Sequence, residues 1–163
     1  LGGEAWLTDR SVAAAIGTGN PRVNRKMAQR LQGKDNISFP NLVHPGTVLD
    51  HGRVNMGQGN VICAGNIFTT DISIGNFNVF NLACTYGHDI VVGDCCVFSP
   101  GLNVSGGVTF HHECYVGTGA NFIEQLTVGA GAVVGAGALV NGDVEAGATV
   151  VGVPARPIRR KGD

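Results

Sequence analysis

A parallel β-helix, a mainly β solenoid, is the fold this sequence predicts, and three observations predict it. Apolar or aromatic residues recur at every sixth position: Met56, Ile62, Phe68, Ile74, Phe80, Tyr86, Val92, Phe98, Val104, Phe110, Val116, Phe122, Val128, Val134 and Val140. The residue that follows is Gly at 57, 75, 87, 93, 117, 129 and 135. Two positions before the register the residues are mostly small or apolar, from Val54, Ile72, Cys84 and Ile90 to Ala132 and Ala138; Asn60, Asn66 and Asn78 are the exceptions.

A helix needs a period of 3.6 and an alternating strand a period of 2. A short strand followed by a tight corner gives six. One apolar residue per strand points into a narrow interior, a small one packs beside it, and Gly is expected to serve the corner. Three edges close a triangular coil of eighteen residues, so residues 56–145 hold five coils. Stacked coils pair edge to edge as parallel sheets, and their inward residues form ladders. The pattern weakens before residue 54 and after Val140, where the regular stack should begin and end. A solenoid has open ends that need caps, and the N-terminal segment and C-terminal tail are available for that role.

The first forty residues read differently. Residues 12–16, Val-Ala-Ala-Ala-Ile, are expected to form a short buried strand, followed by a turn at Gly17-Thr18-Gly19-Asn20. Asn20 is a good N-cap, and Pro21 suits the first helical position. The helix should run from about 21 to 32 with Val23, Met27, Ala28 and Leu31 on one face, ended by Gly33. Phe39 to Val43 should return as a strand leading into the solenoid. A Gly turn opening a helix can hold a phosphate, but Gly-Thr-Gly is also an ordinary connection, and the structural reading is favoured. One strand and one helix bury no core, so residues 1–40 are read as a partial α/β, Rossmann-like remnant, as though a βαβ unit preceded them, and 41–163 as the β-helix domain with its tail.

Composition bounds the chemistry. Glycine makes up 26 of 163 residues, about twice the ordinary usage of about 7%, as a chain that turns often requires. Net charge is −1 and 14% of residues are charged, with no basic patch to suggest a nucleic-acid partner. No apolar run approaches the roughly 20 residues of a membrane span, and the first ten residues do not read as a secretory signal; a soluble, cytoplasmic protein is expected. Five cysteines, at 63, 84, 95, 96 and 114, show no C-x-x-C spacing and are expected to be free, buried and small.

A repeat catalyses nothing by itself, so function lies in a site placed on it. His44, His51, His88, His111 and His112 are the imidazoles. His88-Asp89 follows the corner Tyr86-Gly87, where the repeat tolerates an outward residue. An exposed His can act as a general base, with a neighbouring carboxylate holding its tautomer. The residues alone leave that reading level with a plain surface His. His111-His112 with Cys114 hints at a metal, but adjacent histidines on a strand point to opposite faces and Cys114 falls inside, so none is expected.

Residues 80–107 carry a further pattern. Asn81 is followed seven positions on by His88-Asp89, then by Val92-Gly93-Asp94, Ser99-Pro100-Gly101 and Ser105-Gly106-Gly107. This resembles the hexapeptide-repeat sugar O- and N-acyltransferases of the sialic-acid O-acetyltransferase and bacillosamine-pathway N-acetyltransferase type. Ala15-Ile16-Gly17 with Arg22 resembles that family's A-I-G-x-x-x-x-R, Phe39-Pro40 to His44-Pro45 its lead into the solenoid, and Gly152-Val153-Pro154-Ala155-Arg156 its ending. The resemblance spans about residues 5–160.

The resemblance implies a left-handed coil, although parallel crossovers are ordinarily right-handed. It also implies a homotrimer that transfers acetyl from acetyl-CoA to an amino sugar, nucleotide-linked, in grooves between neighbouring β-helices. His88 would take the proton of the attacking amine, and Asp89 would orient it. The backbone N–H of Gly106 would meet the thioester carbonyl, and Thr118 and Ala136 would line the pantetheine arm. Gly17 and Asn81 would contact the sugar. The tail Arg156, Arg159, Arg160 and Lys161 reads either as a partner for the CoA phosphates or as a solvated tail. Some relatives place a second His nine residues after the first; here that position is Val97. The family's upstream Gly-rich nucleotide-sugar loop does not occur in this sequence. Sugar O-acetylation is the alternative within the class. A metal protein of γ-carbonic-anhydrase type, a scaffold, or a truncated β-helix that binds CoA without turnover are the alternatives outside it.

Overall fold

A computed structural model describes residues 10–158. Arg159, Arg160 and Lys161 lie outside the described residues. The chain opens with β1 (Val12–Ala13), α1 (Pro21–Leu31) and β2 (Ile37–Ser38), with β1 and β2 paired in parallel, Val12 opposite Ile37. Asn20 caps the helix by accepting from the Val23 N–H at 3.2 Å, and Gly33 follows its end with φ +86°.

Three local expectations are corrected here. The first strand is two residues, not five, and it is only partly covered; Ile16, beyond it, is the buried residue. The inward face of α1 is Pro21, Asn24, Ala28 and Leu31, whereas Val23 and Met27 are exposed. Asn24 turns the helix because its amide ties down the preceding loop. Its Oδ1 accepts from the Thr18 N–H at 3.1 Å and the Thr18 hydroxyl at 2.6 Å, and its Nδ2 donates to the Thr18 carbonyl at 3.0 Å. The Gly-Thr-Gly turn thus spends its central N–H internally, as a structural connection does. Finally, the strand expected from Phe39 to Val43 is confined to β3 (Leu42–Val43), which does lead into the solenoid, while Phe39 packs edge-on against Phe77 with ring centroids 5.1 Å apart.

From β3 onward the chain winds as a left-handed parallel β-helix of about six turns. Its strands, mostly two residues long, stack into three faces. Face I runs from Val54–Met56 to Thr127–Val128, face II from β3 to Thr149–Val151, and face III from Ile67–Phe68 to Leu139–Val140. The register is eighteen in the regular stack: Val91 lies opposite Thr109, Val97 opposite Tyr115 and Asn103 opposite Asn121. The stack extends past both expected ends. β3 pairs with Val61–Ile62, Val144 bridges Val128, Thr149–Val151 adds a further rung, and Arg156–Pro157 closes face II antiparallel.

The interior is the predicted register. Phe68, Phe80, Tyr86, Phe98, Phe110 and Phe122 are buried and stack in sequence, with Phe80 and Phe98 parallel at 4.9 Å and Phe98 edge-on to Phe110 at 5.1 Å. Of these, Tyr86 carries a buried hydroxyl with no hydrogen-bond partner. Two of the polar exceptions form a ladder: Asn60 donates to Asn41 and Asn78 to Asn60 through their amides at 3.0 Å, and the Cys96 N–H donates to Asn78 Oδ1 at 2.7 Å. Asn66 instead donates to the Cys63 and Asn81 carbonyls at 2.8 and 2.7 Å. All five cysteines are free; four are buried and Cys63 is half-buried.

The glycines after the register do not serve as expected. The residue with positive φ at each corner lies two places further on, and half the time it is not Gly: Asp71, Phe77, Ala83, Asp89, Cys95, Glu113 and Gln125 all have φ of 56–60°. Gly117 is required for a different reason. A Cβ there would lie 2.6 Å from the Ala136 nitrogen of the next coil, so backbone stacks directly on backbone.

Candidate active site

The three corners divide the predicted site residues. His88 and Asp89 stand at the corner between faces III and I, and Gly106 occupies the equivalent place one coil on. Asn81, Thr118 and Ala136 stand at the corner between faces II and III. Gly17, in the loop before α1, lies against face II, where a Cβ would be 3.8 Å from Val61. A single chain therefore brings His88, Asp89 and Gly106 together and holds the other four apart from them.

At the first of these corners His88 Nδ1 and Asp89 Oδ2 are 2.7 Å apart, with about two thirds of each side chain exposed. Asp89 has φ 57°, a left-handed conformation that Asp tolerates better than most residues. Its N–H donates to the Thr70 carbonyl at 3.1 Å, and the Gly107 N–H donates to the His88 carbonyl at 2.8 Å. The dyad is thus pinned to the coils on both sides. With Nδ1 engaged by a carboxylate, Nε2 is the nitrogen left to exchange a proton with an incoming group.

The N–H groups of Gly106, Thr118 and Ala136 donate to no partner among the described residues. Thr118 and Ala136 are exposed, on a corner where Gly119 and Gly137 leave open space. Such a small-residue column with free donors can accept an extended polar chain. Asn81, by contrast, uses its amide on the Phe98 carbonyl at 3.0 Å.

The third corner, between faces I and II, holds a column that a period of six does not reveal. Gln58, Asn76, Asp94 and His112 lie eighteen apart. Asn76 Oδ1 accepts from the Gln58 N–H at 3.0 Å, Asp94 Oδ1 from the Asn76 N–H at 2.7 Å, and His112 Nδ1 from the Asp94 N–H at 2.9 Å. α1 covers this corner and ties to it through an Arg25–Glu113 ion pair. Cys95, buried beneath, has its thiol pushed up to about 11, by burial first and then by the Asp94 and Glu113 carboxylates. His111 and His112 lie in a corner rather than on a strand, and no group of three metal-ligating side chains occurs among the described residues. Val97, at the place of the relatives' second His, is fully buried. No helix of the described residues is long and apolar enough to cross a membrane.

No family model matches the chain. It is 33% identical over 154 residues to the GDP-perosamine N-acetyltransferase of Escherichia coli O157:H7, covering 89% of this chain and 67% of that one. Among solved structures it is similar to PerB from Caulobacter crescentus, crystallised with CoA and GDP-perosamine (TM-score 0.87, 28% identity, 90% of this chain and 70% of that one). It is also similar to the acetyltransferase domain of PglB from Neisseria gonorrhoeae, in complex with acetyl coenzyme A (TM-score 0.83, 32% identity, 88% of this chain and 69% of that one). The solenoid, its helix-bearing N-terminal segment and this likeness over most of the chain place it: the chain belongs to the hexapeptide-repeat sugar N-acetyltransferase family.

Proposed function

We infer that the chain transfers the acetyl group of acetyl-CoA to the amine of a nucleotide-linked amino sugar, with His88 as general base. The observation that carries this reading is the exposed His88–Asp89 pair at 2.7 Å, with the free N–H of Gly106 one coil below. Likeness to PerB and PglB, whose crystals hold CoA with GDP-perosamine and acetyl-CoA respectively, supports the choice of donor and acceptor.

The amine attacks the thioester carbonyl carbon, and its proton passes to His88 Nε2. Asp89 holds the other ring nitrogen and stabilises the imidazolium. The carbonyl oxygen gains negative charge, which the Gly106 N–H stabilises by donating to it. As the tetrahedral intermediate collapses, the C–S bond breaks, and the CoA sulfur leaves with the proton returned from His88. Thr118 and Ala136 offer backbone donors to the pantetheine amides, and Gly17 and Asn81 face the sugar.

Because these groups occupy two corners and one face, spread over several coils, the complete site needs a neighbour. A homotrimer, in which the III–I corner of one chain meets a donor-lining corner of the next, supplies it. Residues 1–40 then act as a partial α/β segment flanking the site and 41–163 as the acyl-transfer domain, in the cytoplasm, where acetyl-CoA is available.

The test is thiol release from acetyl-CoA against a panel of nucleotide amino sugars and sialic acids, for the wild type and His88→Ala. Release that requires one amino sugar and collapses in the variant supports the reading. Release with a hydroxyl acceptor alone turns it to O-acetylation, and CoA binding without turnover removes the catalytic role of His88.

A further inference from the structure

The imidazole of His88 does not stand free at its corner. It reaches along the solenoid axis and lies against the backbone of the next coil, over Gly106. A Cβ on Gly106 would be 2.6 Å from both Cε1 and Nε2 of His88 and 3.0 Å from Cδ2, and its three nearest atoms all belong to this ring. Carbon atoms do not approach so closely, so any side chain at 106 must displace the ring. Of the glycines that follow the register, Gly87, Gly93, Gly117 and Gly129 meet backbone of the next coil first, whereas Gly57, Gly75 and Gly135 meet the side chains of Asn76, Asp94 and Val151; at Gly106 the three nearest atoms all belong to an imidazole ring. Gly106 sits one place later in the repeat, and what its bare Cα admits is a side chain.

We propose that Gly106 is a positioning residue for His88: its missing side chain forms the notch in which the imidazole lies, with Nδ1 on Asp89 and Nε2 at the mouth of the site. The two contacts act on opposite edges of the ring. Asp89 Oδ2 draws Nδ1 at 2.7 Å, while the Gly106 Cα leaves room for the Cε1–Nε2 edge. A methyl group at 106 pushes that edge away, and the ring can yield only by turning about its side-chain torsions, which takes Nδ1 out of line with the carboxylate. Asp89 cannot easily follow, since its backbone is held in the left-handed region at φ 57° by the Asp89 N–H to Thr70 bond. The proposal rests on the reading of His88 as the base for its catalytic consequence, but not for its structural one.

The experiment is Gly106→Ala, alone and combined with His88→Ala, in the full chain. The substitution keeps the residue-106 N–H. Three readouts are taken: the ¹⁵N shifts of the His88 ring, the melting temperature, and kcat and KM with acetyl-CoA and the accepted sugar. In the variant the His88 Nδ1 signal should lose the signature of its carboxylate bond. The melting temperature should fall in the wild-type background and be restored when His88 is truncated, because the two groups compete for one space. Turnover should fall about 100-fold, as expected for a base displaced by about 1 Å, mainly through kcat. An equal loss of melting temperature in both backgrounds, or an unchanged His88 spectrum with kcat within about twofold of wild type, overturns the proposal. If His88→Ala alone still turns over, the base assignment fails, while the spectrum and the thermal coupling still decide whether Gly106 places the ring.

Discussion

Asp89→Asn separates the charge of Asp89 from its place in the fold. The corner requires a residue at φ 57°, which Asn accepts as readily as Asp, whereas Ala there would cost about 1–2 kcal/mol of backbone strain. The His88–Asp89 pair has about two thirds of each side chain in solvent, and exposed ion pairs contribute about 0–1 kcal/mol to folding. The melting temperature should therefore stay within about 4 °C. Catalysis should not be spared. During proton transfer the ring becomes an imidazolium, and a hydrogen bond to a charged group stabilises by about 1.5–3 kcal/mol. At tenfold per 1.36 kcal/mol, that loss slows the chemical step by about 10–150-fold. Solvent exposure favours the lower half of that range if Asn turns Oδ1 to the ring. An Asn that turns its NH₂ to Nδ1 stabilises the wrong tautomer and costs more. The assay is steady-state thiol release from acetyl-CoA alongside thermal melting. A variant that folds normally and keeps kcat within about twofold would refute the argument that Asp89 acts through the imidazole.

Other consequences follow from the packing. Gly117→Ala places a methyl 2.6 Å from the Ala136 nitrogen, and overpacking against backbone should destabilise by about 1–3 kcal/mol, read as a lower melting temperature. Tyr86→Phe removes a buried hydroxyl without a hydrogen-bond partner from an aromatic stack, so thermal stability should hold or rise by up to about 1 kcal/mol; a marked loss would show that the hydroxyl is satisfied after all. Cys95, with its thiol pushed from 9.0 to about 11, favours the protonated form in the folded state. Stability from this group is complete below pH 9 and should decline as pH rises towards 11, since the unfolded chain releases the proton first. Melts across that range in wild type and Cys95→Ser should show a shallower decline in the variant. Native thiol labelling should reach the half-buried Cys63 before the four buried cysteines.

Much of this was legible from one period. The inward column from Met56 to Val140 announces the solenoid because an interior one side chain wide admits only apolar residues, and His88-Asp89 stands out as polar residues at a corner. What escaped the reading works at a different spacing. Contacts between coils run at eighteen, so the Gln58–Asn76–Asp94–His112 column and the His88–Gly106 contact appear only when the sequence is folded on that longer repeat. The left-handed corner position is hidden because half its occupants are not Gly; Phe77 and Cys95 hold it while packing under α1. The inward face of α1 is not legible from hydrophobicity, because Asn24 is buried for its hydrogen bonds to Thr18, which no hydrophobic count weighs. The solenoid's ends were set too short because Leu42–Val43 and Thr149–Val151 add rungs without the full six-residue pattern.

The stacking also makes the molecule a ruler. Each coil advances the axis by one strand spacing, about 4.8 Å, and the sequence can move along it only in steps of eighteen residues without rotating every corner. Gly106 lies one rung from His88, and Ala136 one rung from Thr118. The reach between the base and the donor-lining column is thereby set in whole and third parts of a coil. Inserting one complete coil of eighteen residues between Gly107 and Thr118 would change that reach by about 4.8 Å and leave every side chain facing as before, so selection for a longer acyl donor has a mechanical unit on which to act.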